Sequence, residues 1–220
     1  TESDGSGGTR TTRTATGSGP ATWFHDGTRN GIADYVGDVW KWMSGLRIYK
    51  GEIQIFVGNL AAKQVSHLAA STYWKAILPN GSLVEPGTPG TLKYTKDFKI
   101  ATDTGAAGST YTANFGNLVA GTGVTTIPEI LKELFLAPVS GVTHTGAFWI
   151  NNEDERLPLV SGSSRNASDA GPSALNLNNP RSNVRTNIGF FSAYPFSQTG
   201  KFTDFSQCKK GKRDLFQFRP

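Results

Sequence analysis

From Leu46 to Phe56 apolar and polar residues alternate around a central Lys50-Gly51 pair, and a period of two interrupted by a turn dipeptide predicts two strands joined as a hairpin. The spacing is different just before it. Ile32, Tyr35, Val36, Val39 and Trp40 fall at i, i+3, i+4, i+7 and i+8, the single apolar stripe of a helix over 32–42, with Asn30 as its cap. A second helix is predicted to open at Thr126-Ile127-Pro128-Glu129, where Thr126 is the N-cap, Pro128 sits in the first turn and Glu129 completes a capping box. Ile130, Leu131, Leu134 and Phe135 supply its buried face, and Pro138 stops it. Weaker strand patterns cover 69–78 and 91–100, and Ala147-Phe148-Trp149-Ile150 reads as an apolar strand. The Gly-, Ala- and Thr-rich stretch 101–126 reads as loop with strand fragments.

Length allows one large domain or two small ones, and composition points to short elements joined by many loops. Of 220 residues, 37% are hydrophobic and only 18% charged, while 26 are Gly and 11 Pro, a balance that suits many loops and argues against a helical bundle. No apolar run approaches the roughly 20 residues of a membrane span, so no membrane insertion is expected. Residues 1–22 read as a linker or edge segment, 23–194 as the folded ligand-binding domain and 195–220 as a basic C-terminal extension. The net charge of +5 is concentrated in that extension, where Lys201, Lys209, Lys210, Lys212, Arg213 and Arg219 outnumber Asp204 and Asp214. It reads as a solvated tail. Without an aromatic stacking platform or a nucleic-acid module beside it, nucleic acid is not an expected partner. The single cysteine, Cys208, forms no intrachain disulfide.

Candidate chemistry is sparse. His25, His67 and His144 stand 42 and 77 residues apart with no His-Glu-x-x-His pattern, so a metal site is not predicted. Glu153-Asp154-Glu155 offers carboxylates without a sugar-type calcium signature. No phosphate loop, serine elbow or kinase signature occurs, and no cofactor is expected. Trp40 and Trp42 read as packing residues rather than a ligand-stacking pair. The polar window from Ser161 to Asn187 is different, because its short amides, hydroxyls and arginines give adaptable hydrogen bonding with few apolar anchors. Its candidate contact residues are Ser163, Ser164, Arg165, Asn166, Ser168, Asp169, Ser173, Asn176, Asn179, Arg181, Asn183 and Arg185. Other amides there, Asn178 foremost, are expected to satisfy loop backbone. The window lacks Tyr and Trp, the usual high-energy anchors, so single-site affinity is expected to be modest.

Gly37-Asp38-Val39-Trp40-Lys41-Trp42 resembles the Gly-Asn-Val-Trp-Glu-Trp motif of C-type-lectin-like domains of the formylglycine-generating-enzyme type. Val160-Ser161-Gly162-Ser163-Ser164 and Gly189-Phe190-Phe191 are weaker counterparts of that family's Arg-Gly-Gly-x-Trp and Gly-Phe-Arg motifs. Gly51-Glu52-Ile53-Gln54-Ile55 and 174–183 are similar to phage and prophage proteins carrying this domain, some of them variable proteins of diversity-generating retroelements. The resemblance implies an α+β, C-type-lectin-like fold: two helices with small twisted antiparallel sheets and long loops. It also implies a non-enzymatic receptor-binding or adhesin domain with a diversified surface. The oxidase branch of the family carries reactive cysteines ahead of Gly-Phe-Arg, and this chain has none there. The implied partner is a host or target-cell surface receptor, protein or glycan, met from a virion tail or a cell surface. A homo-oligomer or attachment to a larger tail or surface protein is expected with it. The alternative is a structural tail or capsid decoration module whose polar window is a subunit interface.

Overall fold

The hairpin forms as its alternation predicts. In the computed structural model, which describes residues 2–3, 9–10, 16–58, 60–63 and 65–190, Leu46–Tyr49 pairs antiparallel with Glu52–Ile55, Tyr49 opposite Glu52. Lys50 and Gly51 both have positive φ, 49° and 82°, the type I′ turn whose twist matches the strands it joins. In chain order the strands are β1 (Glu2–Ser3), β2 (Thr9–Arg10), β3 (Trp40–Trp42), β4 (Leu46–Tyr49), β5 (Glu52–Ile55), β6 (Lys75–Ile77), β7 (Leu83–Val84), β8 (Lys93–Tyr94), β9 (Lys99–Ala101), β10 (Ser109–Thr112), β11 (Val119–Ala120), β12 (Phe148–Asn151), β13 (Glu155–Val160), β14 (Leu175–Asn179) and β15 (Ile188–Gly189). β1 and β2 pair with each other. The other thirteen form one curled mixed sheet whose main path is β10-β12-β14-β13-β4-β5-β8-β9-β11.

β13 is the bend in that sheet. Its first residues pair with β4, Glu155 opposite Tyr49, and its last with β3, Leu159 opposite Trp42. Along its other edge the register to β14 shifts between Leu157 and Leu159. Pro158 sits at the shift. Proline has no N–H to give a ladder and belongs at such irregularities, while its carbonyl still accepts from the Met43 N–H at 3.1 Å. The curl lets both halves of the sheet close on one core: Ile48 and Ile53 from one side, Phe148, Ile150 and Leu177 from the other, all at 0% exposure. Each such side chain contributes roughly 1.5–3 kcal/mol of transfer free energy. A smaller cluster of Trp40, Leu159 and Ala174, with Trp42, Trp149 and Ile188 packed on it, lies on the outer face.

The expected α+β architecture with two helices is overturned: the fold is mostly β, and the one α-helix among the described residues, α1, spans only Glu129–Glu133. Over 32–42 the chain turns through positive φ at Asp34 (50°), Gly37 (82°) and Asp38 (52°) and then enters β3. Ile32 and Val36, meant for the buried stripe, are exposed. Trp40 and Trp42 satisfy a period of two as well as a helical one, and pairing with β13 selects the strand. The Lys41 ammonium donates to the Tyr35 and Gly37 carbonyls at 3.1 and 2.6 Å, supplying partners that helical bonds would otherwise have provided.

α1 is short for a local reason. It caps on Pro128 without a side-chain hydrogen bond, so Thr126 is not its N-cap. Its end is a Schellman motif: Leu136 N–H reaches the Leu131 carbonyl at 2.7 Å and Phe135 N–H the Lys132 carbonyl at 3.0 Å, with Phe135 at φ 55° in the position glycine usually takes. Leu131 and Leu136 are buried, while Leu134 and Phe135, expected on the buried face, are exposed. The basic extension 195–220, with Cys208, lies outside the described residues, and no helix among the described residues is long and apolar enough to cross a membrane.

Candidate binding surface

Alternation along β10, β12 and β14 separates two faces. Phe148, Ile150, Leu175 and Leu177 turn into the core, which leaves Tyr111, Trp149 and Asn176 side by side on the outer face, Tyr111 opposite Trp149 and Trp149 opposite Asn176. The Tyr111 and Trp149 rings lie 5.1 Å apart and tilted by 31°, and Trp149 meets Trp40 edge-on at 5.2 Å. Tyr111 is half exposed. Its hydroxyl donates to Asp169 Oδ2 at 2.7 Å. That bond, first, and the nearby carboxylate charge raise the Tyr111 phenol above its ordinary value.

The loop carrying Asp169 is held from within. It leaves β13 through Ser161 and Gly162, both at positive φ. It closes with Ser161 N–H on the Ala174 carbonyl and Gly171 N–H on the Ser161 carbonyl. Asn166 Oδ1 accepts from the Ser163 N–H at 2.9 Å and its hydroxyl at 2.8 Å, and Ser163 is buried. The Asp169 carbonyl accepts from Ala147 N–H at 2.9 Å, tying the loop to the start of β12. At the crossing, a Cβ on Gly146 would stand 2.6 Å from Ala174 N, so only glycine permits the approach. Ser164, Arg165 and Ser168 then stand exposed around Asp169.

The rest of the predicted window is internally engaged. Asn176 Oδ1 accepts from Asn178 N–H and Asn179 Nδ2, and Asn183 Nδ2 donates to Asn179 Oδ1 at 2.6 Å. Loop satisfaction therefore runs through the side chains of Asn166, Asn176 and Asn179, while Asn178 enters through its backbone. Arg185 Nε donates to Asn183 Oδ1 from an exposed position. Ser173 Oγ sits 3.2 Å from His144 Nδ1. His144 Nε2 lies 3.0 Å from the Val139 N–H and 3.2 Å from the Val139 carbonyl, so both ring nitrogens are engaged with the surrounding loop. An open cleft of about 370 Å³ lined by Asn114, Val139 and His144 lies beside them.

Arg181 belongs to a different structure. Its Nε and Nη2 hold the two Glu155 oxygens at 3.1 and 3.0 Å, and Arg47 Nη1 takes Glu155 Oε1 at 2.9 Å. Arg47 continues the network through Gln54 at 2.6 Å to Glu52, which also accepts from Thr91 Oγ1 and Gly87 N–H. Trp74 lies 4.5 Å over the Arg47 guanidinium. Burial alone would raise the Glu155 carboxyl, but the hydrogen bonds and charges of Arg181 and Arg47 outweigh it and hold it below its ordinary value. The carboxylate considered for calcium is thus neutralised by two arginines. Among the described residues no group of three or more His, Cys, Asp or Glu is placed to hold a metal, and the three histidines bond separately, His25 to Ile32 N–H and His67 to Ser44.

The residues that sequence reasoning missed are Tyr111 and Trp149 on the open face and Arg47, Glu52 and Gln54 under the covered one; Glu155 was weighed only as a calcium carboxylate. The signal for Tyr111 was the alternation Ser109-Thr110-Tyr111-Thr112 inside a stretch read as loop. No protein-family model matches this chain, and no curated protein is similar to it.

Proposed function

We propose that this chain is a non-enzymatic receptor-binding domain whose contact surface is the outer face of β10 and β12 together with the loop 161–173. The observation that carries the reading is the exposed Tyr111 ring, packed on Trp149 and anchored to Asp169, amid exposed Ser164, Arg165 and Ser168. A rigid aromatic surrounded by adaptable polar groups is the composition of a binding hot spot. It supplies the anchor that the polar window lacks in sequence. The receptor is a host or target-cell surface molecule, protein or glycan, met from a virion tail or a cell surface, and the resemblance at Gly37–Trp42 supports that setting.

Under this reading the window divides. Ser164, Arg165, Ser168 and Arg185 are exposed contact positions, whereas Ser163, Asn166, Asn176 and Asn179 bond within the window as scaffold. A diversifying template repeat beside the gene would therefore change the first group and spare the second. The binding test applies labelled protein to a panel of bacterial cells and to an arrayed glycan set. Tyr111→Ala and Arg165→Ala are expected to lose, by tenfold or more, whatever binding the unaltered protein shows, while the circular dichroism spectrum stays that of the folded protein. Full binding by both variants would overturn the assignment.

A further inference from the structure

We propose that the free edge of β10 pairs with the same strand of a second copy of this chain, across a two-fold axis through Thr110, joining two curled sheets into one. β10 ends the main path of the sheet, and among the described residues only β12 pairs with it. The hydrogen-bond parity fixes which groups point outward. Asn152 N–H bonds the Gly108 carbonyl, so Gly108, Thr110 and Thr112 are the residues whose backbone faces β12, and Ser109 and Tyr111 direct their N–H and C=O to the open side.

An antiparallel two-fold partner matches that pattern. Ser109 meets Tyr111 of the second copy, and Tyr111 meets its Ser109, which closes four N–H···O bonds around a central Thr110–Thr110 pair. The edge carries none of the devices that keep strands apart. Edge strands are commonly guarded by Lys, Pro or a bulge, but from Thr104 to Ile127 the chain has no charged residue and no proline. Two copies of a chain with net charge +5 can meet there along a strand that itself carries no charge. β10 is also the longest strand at the margin, four residues against two for β7, β11 and β15. Exposed Ala106 and Ala107 ahead of it put nothing bulky in the way. A two-fold interface uses the same patch on both copies, and this one sets the two Tyr111 platforms on one continuous face, so that a multivalent target is gripped twice.

Sedimentation equilibrium on the full chain tests the pairing, and the unaltered protein is expected at twice the monomer mass. Thr110 faces its own equivalent at roughly 5 Å between Cβ atoms, so Thr110→Lys and Thr110→Glu are each expected to sediment as monomers, and their equimolar mixture to restore the doubled mass. Ser109→Pro deletes the outward N–H together with the hydroxyl that accepts from Asn151 Nδ2, and leaves the backbone ladder to β12 in place; it too is expected at monomer mass with an unchanged circular dichroism spectrum. An unaltered protein that stays monomeric at its highest soluble concentration overturns the proposal. So does a dimer that persists in both Thr110→Lys and Ser109→Pro, or a Lys/Glu mixture that remains monomeric.

Discussion

The two halves of the curled sheet both turn polar side chains outward, and only one half is roofed. Around β4 and β5 the segments near Ala69, Trp74, Gly87 and Thr91 close over Arg47, Gln54 and Glu52, leaving them 8%, 2% and 5% exposed. Around β10 and β12 Tyr111 packs on Trp149, is met by the loop of Asp169 and remains half exposed. Polar groups taken from water must be paired. Under the roof Arg47, Gln54, Glu52 and Thr91 therefore bond to one another and to Glu155, and the chemistry is spent on the fold. On the open half the side chains of Asn151 and Ser109 pair across the strands and Tyr111 pairs with Asp169, yet the Tyr111 ring itself stays half exposed, and surface remains for a partner.

The sharpest way to break this contrast is Glu155→Ala. It strands Arg47 and Arg181, whose guanidinium groups would lose their shared carboxylate. Removing one partner of a buried pair costs roughly 3–5 kcal/mol. Glu155 keeps 17% of its side chain exposed, which puts the expected loss near about 3 kcal/mol by denaturant unfolding. Because its folded pKa lies below the ordinary value, the stabilisation is complete above the unfolded pKa of about 4.3. It is lost as pH falls through the lower folded value. Glu155→Gln should flatten that acid limb, and an unchanged limb would show that the carboxylate charge is not what the arginines hold.

The roofed half was the more legible one. Alternation at 46–56 pointed to the hairpin and the place of its turn, because Lys50-Gly51 specifies a local geometry; its register came with the structure. The site was less legible, since it is assembled across strands distant in sequence: Tyr111 faces Asp169 over 58 positions, and no local spacing encodes that. The helix expected at 32–42 misled because the same tryptophans fit two periods, and the partner that decides between them, β13, lies more than a hundred residues away. The twelve window residues were chosen for polarity, which does not distinguish an amide that faces solvent from one that caps a turn.

The open half is not uniformly soft, and Asn166→Ala measures where its rigidity lies. The change removes the acceptor of the buried Ser163 N–H and hydroxyl, and unpairing such donors costs about 1–2 kcal/mol. Ser168→Ala, two residues on and exposed, should leave the unfolding midpoint in place. Equal effects would erase the division between scaffold and contact positions.

A finer comparison sets Lys41 against Arg47. Burial lowers Lys41 to about 8, with Asp38 and Asp34 pulling the other way. A cation whose folded pKa is depressed binds fewer protons folded than unfolded between about 8 and about 10.4. Its contribution to stability therefore rises with pH across that window. The difference between the unaltered protein and Lys41→Met should grow over the same interval, and parallel curves from pH 7 to pH 10 would remove Lys41 as a buried cation. Arg47, always charged, gives no such slope.

The smallest effect separates binding chemistry from stability most directly. Asp169→Asn keeps the size of the side chain and an oxygen to accept the Tyr111 hydroxyl, so the melting temperature should not move. What changes is the charge beside the phenol. The hydrogen bond to a carboxylate, and then the carboxylate's field, hold the Tyr111 pKa up, and an amide accepts more weakly and carries no field. Tyr111 should then titrate closer to the ordinary value of about 10, followed through its ring carbon resonances by NMR. A titration that stays where it was would mean that Asp169 does not govern the electrostatics of the open face, and the ring would be left as an exposed aromatic without its anchor.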